Sequence, residues 1–395
     1  MRCAVAATAA VALTTLGVPA AADAAPAEKA VLAASGAEVV PDSYVIVLKE
    51  NRSAVAGQAR TLASRHGGTV RRTYSHALRG FAATMTARQA RRMAADPAVA
   101  YVQADVVHRA SDTQTNPPSY GLDRIDQRNL PLNSAYTYST RASNVHAYII
   151  DTGIRITHQD FGGRATSGFD AVDGGTADDC NGHGTHVSGT VGGTSYGVAK
   201  GVQLVAVRVL NCQGSGTTAQ VVAGIDWVTA NAQKPAVANM SLGGGADTAL
   251  DSAVTRSIAS GVSYSIAAGN GLFGIFALDA CTQSPARVPT AITVSAVDSS
   301  DRKPSWANRG TCVDLFAPGI NITSAWGTGD TATNTISGTS MATPHVTGAA
   351  ALYLATHPTA TAADVHSAVV SAATTGVVGS PGSGSPNRLL YTGGF

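Results

Sequence analysis

Three short segments carry residues able to do chemistry together: Asp151-Thr152-Gly153, His183-Gly184-Thr185-His186 and Gly338-Thr339-Ser340-Met341-Ala342. A serine hydroxyl is a poor nucleophile alone. It needs a base within hydrogen-bond reach, and the base needs a third group to fix its tautomer. An acid, a histidine and a serine, each framed by glycine or small residues, meet that need. They stand in the order acid, histidine, serine over about 190 residues. Taken singly, each has a plainer reading: Asp151 as a turn cap and Ser340 as a helix N-cap. Their joint occurrence points to nucleophilic attack on a carbonyl.

Further candidates surround these three. Asn270 closes Ala267-Ala268-Gly269-Asn270 after an apolar run, where its amide can donate to a developing oxyanion. Ser241, Leu242 and Gly243, with Gly244 and Gly245, end another run, and glycines there leave backbone groups open to an extended peptide. His183 and His186 could ligate a metal, but no third ligand stands at a recognisable spacing. The segment 271–280 is mostly apolar and follows Asn270 directly. It is expected either to form an apolar rim favouring bulky hydrophobic substrate residues or to be tucked away from the groove.

The elements that position these residues can be read from hydrophobic pattern. Runs at 145–150, 204–209, 237–241, 262–267 and 292–297 are short, β-rich and bounded by turns. Helical stretches are expected at 183–192, 218–231 and 247–260, and a long one from near Ser340 through Leu354. Strands alternating with helices imply an α/β fold, a parallel sheet covered on both faces. Asp151 falls at a strand end, where such sheets place their sites. Ser340 falls at a helix start, where unpaired N–H groups favour an anion. Upstream, residues 43–109 read as a small α/β domain with strands at 43–48, 80–85 and 99–107 and helices at 53–66 and 86–95. Residues 25–42 read as an Ala-rich tether, 110–119 as a polar linker with a cleavage site, and 120–395 as one long domain.

Composition narrows the class. Of 395 residues, 13% are charged and 44% hydrophobic, which describes a globular chain and not a disordered one. A net charge of +2 implies no nucleic-acid partner. Residues 1–110 hold 13 Lys/Arg against 7 Asp/Glu, and the rest holds 14 against 18. The two parts should attract, unless this is composition drift. Residues 1–24 read as an export signal: Arg2, an apolar run at 4–18, then Ala22-Asp23-Ala24. That run is too short for a permanent anchor, so a secreted product with no membrane partner is expected. Of five cysteines, Cys3 lies in the signal; Cys180, Cys212, Cys281 and Cys312 remain, and sequence alone allows three pairings.

From about Gly121 onward the chain resembles the subtilases, more closely the proteinase K group and its aqualysin-like secreted members. The resemblance rests on Gly-Leu-Asp-Arg-Ile-Asp-Gln-Arg at 121–128, Cys-Asn-Gly-His-Gly-Thr-His at 180–186, Ala-Asn-Met-Ser-Leu-Gly-Gly-Gly at 238–245 and Ser-Gly-Thr-Ser-Met-Ala-Thr-Pro-His-Val at 337–346. It implies a subtilisin-like sheet and a serine endopeptidase acting on polypeptides. Ser340 would be nucleophile, His183 base and acid, Asp151 its orienter, and Asn270 an oxyanion donor. Ser241–Gly243 and Ala267, Ala268 and Gly269 would wall the primary specificity pocket. The small upstream domain would be an inhibitory pro-domain, the chain's own partner, and the enzyme a monomer. Disulfides would join Cys180 to Cys212 and Cys281 to Cys312. Structural Ca²⁺ would bind Asp314 with the backbone oxygens of Pro289 and Ala291, and a second ion Asp123, Asp126 and Gln127; a further ligand of that set falls on Ala135. The resemblance implies that segment 271–280 is about five residues longer here than in the family. An alternative is an inactive binding protein on the same scaffold, whose signature would be a missing triad member; none is missing.

Overall fold

The computed structural model describes residues 27–33, 39–50, 53–107, 111–272 and 274–395. The export signal at 1–24 and residue 110, where the expected linker with its cleavage site begins, fall outside these residues. The chain divides into two compact units, one to His108 and one from Arg109.

The first unit is a four-stranded antiparallel sheet in the order Thr69–Tyr74, Gly80–Thr84, Val39–Leu48, Val99–Val106. Helices Val55–His66 and Ala87–Ala94 share a core with it that includes Ile46, Phe81, Met93 and Val102. Thr86 and Gln89 form a reciprocal capping box at the second helix. The strand Thr69–Tyr74 has no sequence signal, because it is an exposed edge strand with two arginines and no apolar alternation. The tether expectation needs correction. Leu32 bridges to Gln103, and Glu28 lies among Arg88, Arg91 and Arg92. One acid meeting three arginines on one helix fixes a segment whose alanines suggested slack.

The second unit centres on a nine-stranded sheet. Its order is Thr374–Thr375, Arg388–Leu389, Leu315–Pro318, Ile292–Val297, Ser263–Ala267, Ala236–Met240, His146–Asp151, Gln203–Arg208, Ala165–Asp170. All neighbours are parallel except the first pair. Its central strands are buried on both faces. Ala147 and Ile149 belong to one core with the helices His183–Gly192 and Thr339–Thr356; Tyr148 and Ile150 belong to the other with Thr218–Asn231 and Thr248–Ala259. The chain leaves His146–Asp151 toward one edge, then crosses at Ala236–Met240 to build the other. Asp151 therefore ends the strand at the switch point, where loops diverge and leave a crevice.

The linker expectation also changes. Asp112–Thr115 is a strand paired with Ala135–Tyr138, and Ser119 precedes the helix Tyr120–Ile125. Gln114 donates to the Ser195 carbonyl and Thr113 meets Thr137. The backbone makes this pairing and the strand's own side chains are polar, so no hydrophobic pattern announces it. The C-terminal helix Ala362–Ala372 was likewise unread; its signal was the capping box of Thr361 and Asp364. Disulfides join Cys180 to Cys212 and Cys281 to Cys312. Among the described residues, no helix is long and apolar enough to cross a membrane.

Candidate active site

Asp151 is fully buried at its strand end. Its Oδ1 accepts the Thr152 N–H at 2.8 Å and meets His183 Nδ1 at 2.7 Å. This bond holds the proton on Nδ1 and leaves Nε2 as the free base. His183 opens the helix His183–Gly192 with its ring 24% exposed. Two glycines allow this. Gly182 has φ +106°, and a Cβ there would strike the Trp326 ring; a Cβ on Gly184 would strike the Gly153 carbonyl oxygen. Burial pushes the His183 pKa down, but the Asp151 charge and hydrogen bond, aided by the Asp179 charge, outweigh it and raise it.

Asp179 was not singled out from the sequence. Its Oδ1 accepts Thr152 Oγ1 (2.8 Å) and the N–H groups of Asn181 (3.0 Å) and Gly182 (2.8 Å). Its Oδ2 accepts the N–H and Oγ1 of Thr185 at 2.8 and 2.6 Å. Thr152 Oγ1 in turn accepts the Gly184 N–H at 2.9 Å. One buried carboxylate thus ties the residue after Asp151 to the first turn of the His183 helix. Its position four residues before His183 was the only available signal.

Ser340 is the second residue of Thr339–Thr356. Its Oγ donates to the Ser241 carbonyl at 3.1 Å, and Ser241 Oγ donates back to the Ser340 carbonyl at 2.9 Å. Behind them Asn239 Nδ2 donates to Ser241 Oγ at 2.9 Å, and Thr347 Oγ1 donates to Asn239 Oδ1 at 2.9 Å. A buried polar chain therefore locks the helix start to the strand Ala236–Met240. Asn270 Oδ1 accepts both the N–H and the Oγ1 of Thr339, at 2.9 and 2.8 Å. Two donors on one oxygen fix the amide, so Nδ2 faces away from them. A Cβ placed on Gly338 would lie 3.4 Å from Asn270 Nδ2 and 3.5 Å from Ser340 N, so the two donors border one common space.

These residues line one groove with two lobes that share Ser241 to Gly244. The smaller, about 270 Å³, holds Ser340 and Asn270 together with Ser241, Leu242, Gly243, Ala267, Ala268 and Gly269. No charged side chain lines it. The larger, about 760 Å³, holds His183 and Thr152. Two expectations are modified here. Gly244 and Gly245 pair with Ser284 and Gln283, so the open backbone edge is narrower than the glycines suggested. Among the described residues of the apolar segment only Gly271 lines the small lobe; Leu272, Ile275 and Phe276 project into solvent. A chain reversal at Gly271 (φ +69°) turns them away.

Of the cation ligands, Asp126 is the telling one. Burial, with the Asp123 charge beside it, pushes its pKa up to about 6 against the opposing Thr137 N–H. Its Oδ2 accepts that N–H at 2.6 Å, while the buried Oδ1 has no partner among the described residues. Asp123 accepts the N–H groups of Asn133 and Ser134, and Gln127 donates to the Asn129 and Pro131 carbonyls. Asp314 Oδ2 accepts the Thr293 N–H, and Oδ1 lies 3.5 Å from His366 Nε2. Two acids in close company with an orphaned oxygen fit a hard cation. His186 is buried with Nε2 on the Ile322 carbonyl, away from any such set.

Comparison with known proteins agrees with this geometry. Residues 143–389 match the subtilase family and residues 43–111 the peptidase inhibitor I9 family. The chain is 52% identical to an extracellular serine proteinase of Thermus sp. (strain Rt41A), over 92% of this chain and 93% of that one. It is 51% identical to alkaline serine exoprotease A of Vibrio alginolyticus over 82% of this chain, which spans 60% of that protein. A crystal structure of a cold adapted subtilisin-like serine proteinase is 55% identical, with a TM-score of 0.66, covering 69% of this chain and 97% of that one.

Proposed function

Because the chain belongs to the subtilase family, we propose that its groove cuts polypeptides with Ser340 as nucleophile, His183 as general base and acid, and Asp151 as the group that orients His183. The protein is a secreted, extracellular serine endopeptidase of broad specificity, made with an I9-type inhibitory pro-domain. The observation that carries the assignment of roles is the 2.7 Å contact of Asp151 with His183 in a groove that also holds Ser340 and the Asn270 amide.

The steps follow from the groups in place. Substrate entry turns the Ser340 hydroxyl from the Ser241 carbonyl toward His183 Nε2. Ser340 Oγ attacks the carbonyl carbon as its proton passes to Nε2. The oxyanion forms between Asn270 Nδ2 and the Ser340 N–H, at the positive end of the helix. Collapse breaks the C–N bond, and His183 gives its proton to the departing amine. Water then attacks the acyl-enzyme by the same route and restores Ser340. The uncharged small lobe favours aromatic or aliphatic residues before the cut.

The test is labelling by a fluorophosphonate. One adduct per molecule on Ser340, lost in Ser340→Ala and in enzyme masked by its pro-domain, is the expected result. A label elsewhere would sink the assignment.

Ca²⁺ would be held by Asp126 and Asp123 with Gln127, and a second ion by Asp314 with the Pro289 and Ala291 carbonyls. It would supply the countercharge these carboxylates lack and so stabilise the fold. Chelation of the Ser340→Ala protein should lower Tm by several degrees, and calcium should restore it. A Tm unmoved by chelator would remove calcium from the account.

A further inference from the structure

Residues 271–278 contain no charged side chain, and Leu272, Ile275 and Phe276 are 49%, 55% and 66% exposed. Together with Leu130 they are the large hydrophobics left that open in the second unit among the described residues. They do not sit on slack chain. The Leu272 N–H donates to the Phe276 carbonyl at 2.8 Å, and the Ile275 and Phe276 N–H groups return to the Leu272 carbonyl. Gly271 and Gly274, at φ +69° and +67°, make the reversals that close this hairpin. These backbone bonds present the apolar side chains of Leu272, Ile275 and Phe276 on a defined frame.

The frame is continuous with the specificity pocket. Asn308 accepts the Leu278 N–H at 2.8 Å through Oδ1 and donates Nδ2 to the Ala268 carbonyl at 2.7 Å; its own N–H donates to the Gly269 carbonyl at 3.0 Å. The Ala277 N–H is held by the Ser305 carbonyl. One asparagine thus fastens the foot of the hairpin to the wall of the small lobe. Leu272 is two residues from Asn270, so its Cα lies within about 7 Å of that of the oxyanion donor. A polypeptide whose scissile bond reaches Asn270 passes beside the hairpin.

We propose that the reversal carrying Leu272, Ile275 and Phe276 is a second docking point for the polypeptide being cut, taking an apolar stretch of that chain outside the residue seated in the small lobe. Clustered apolar side chains kept in water mark contact surfaces. The lack of charge selects an apolar occupant, and the Asn308 tie makes the surface an extension of the groove. The hairpin would select long substrates with a hydrophobic segment near the cut and leave the chemistry untouched. This inference rests on the endopeptidase reading above.

The test compares wild type with Leu272→Ser/Ile275→Ser/Phe276→Ser. All three positions are exposed, so the variant should fold, and hydrolysis of a short chromogenic peptide that ends at the scissile bond reports that it has. Two longer peptides share one cleavage sequence and differ only in an apolar or a polar flank. Wild type should prefer the apolar flank by about tenfold in kcat/KM, through KM, and the variant should lose that preference with short-peptide turnover unchanged. A wild type with no preference, or a variant that keeps it, overturns the proposal. So does a concentration-dependent dimer of wild type that the variant lacks, which would make a second copy the occupant. Wild type that cuts none of the peptides would defeat the endopeptidase reading as well, a distinct result.

Discussion

Around Asp151 and His183 the polar groups are tied to one another. Asp179 collects five donors, Thr152 relays between it and the Gly184 N–H, and Asp151 meets His183 Nδ1. Around Ser340 and Asn270 two donors are held but left open. Asn270 is fixed through its oxygen, and its Nδ2 shares a space with the Ser340 N–H. The difference follows the chemistry. A base works from one orientation and one tautomer, so the groups that hold it are bonded to one another, while Asp151 Oδ2 is buried without a partner among the described residues. An oxyanion appears only during the reaction, so its donors must be immobile yet unpaired beforehand.

The strongest way to break this comparison is Ser340→Ala. It should lower kcat by on the order of 10⁶-fold with the fold intact. Persistent hydrolysis of casein by the purified variant would show that the nucleophile lies elsewhere.

Next comes Asn270→Asp. It keeps the oxygen that holds Thr339 and exchanges the open donor for an acceptor. A fall of about 10²- to 10³-fold in kcat with KM little changed is expected. Equal losses in Asn270→Asp and a variant that removes the Thr339 contact would mean that Asn270 only positions the helix.

Asp179→Asn probes the bonded side. It should cost about ten- to a hundredfold in kcat by loosening the His183 turn. It carries a second signature. The neutral imidazole is the base, so activity rises with pH through the His183 pKa, which lies above the ordinary 6.5. Removal of the Asp179 charge lowers that pKa, so the acid limb should move to lower pH. A pH–rate profile with an unmoved limb would reduce Asp179 to a structural cap.

The smallest effect should come from Thr347→Val. It leaves Asn239 Oδ1 short of a donor and should cost about 1–3 kcal/mol of stability and only a few-fold in kcat. A change in kcat as large as that of Asn270→Asp would show that the polar chain under Ser340 does more than anchor.

Much of the frame was legible. Central strands bury both faces, so runs such as 145–150 and 292–297 stand out and fall within a residue of where the strands form. The helices 183–192 and 218–231 coincide with their stretches because turns bound them sharply. Elements held by polar contact were not legible. Asp112–Thr115 pairs through the backbone of polar residues, and residues 27–33 are held by backbone bonds and by one glutamate among arginines. Asp179 and Asn308 look like ordinary loop residues until their partners arrive from distant segments.

The types and order of Asp151, His183 and Ser340, the four cysteines beyond the signal and the apolar run after Asn270 are properties of the chain, so they determined what chemistry was available. Which groups meet depends on strand order and loop course, which local pattern does not encode. Only the folded sheet set Asp151 at its switch point, brought Asp179 beneath two catalytic residues, left Asn270 Nδ2 unpaired and turned Leu272, Ile275 and Phe276 outward. Hydrophobic burial has a periodicity that sequence displays; a hydrogen bond between remote polar groups has none.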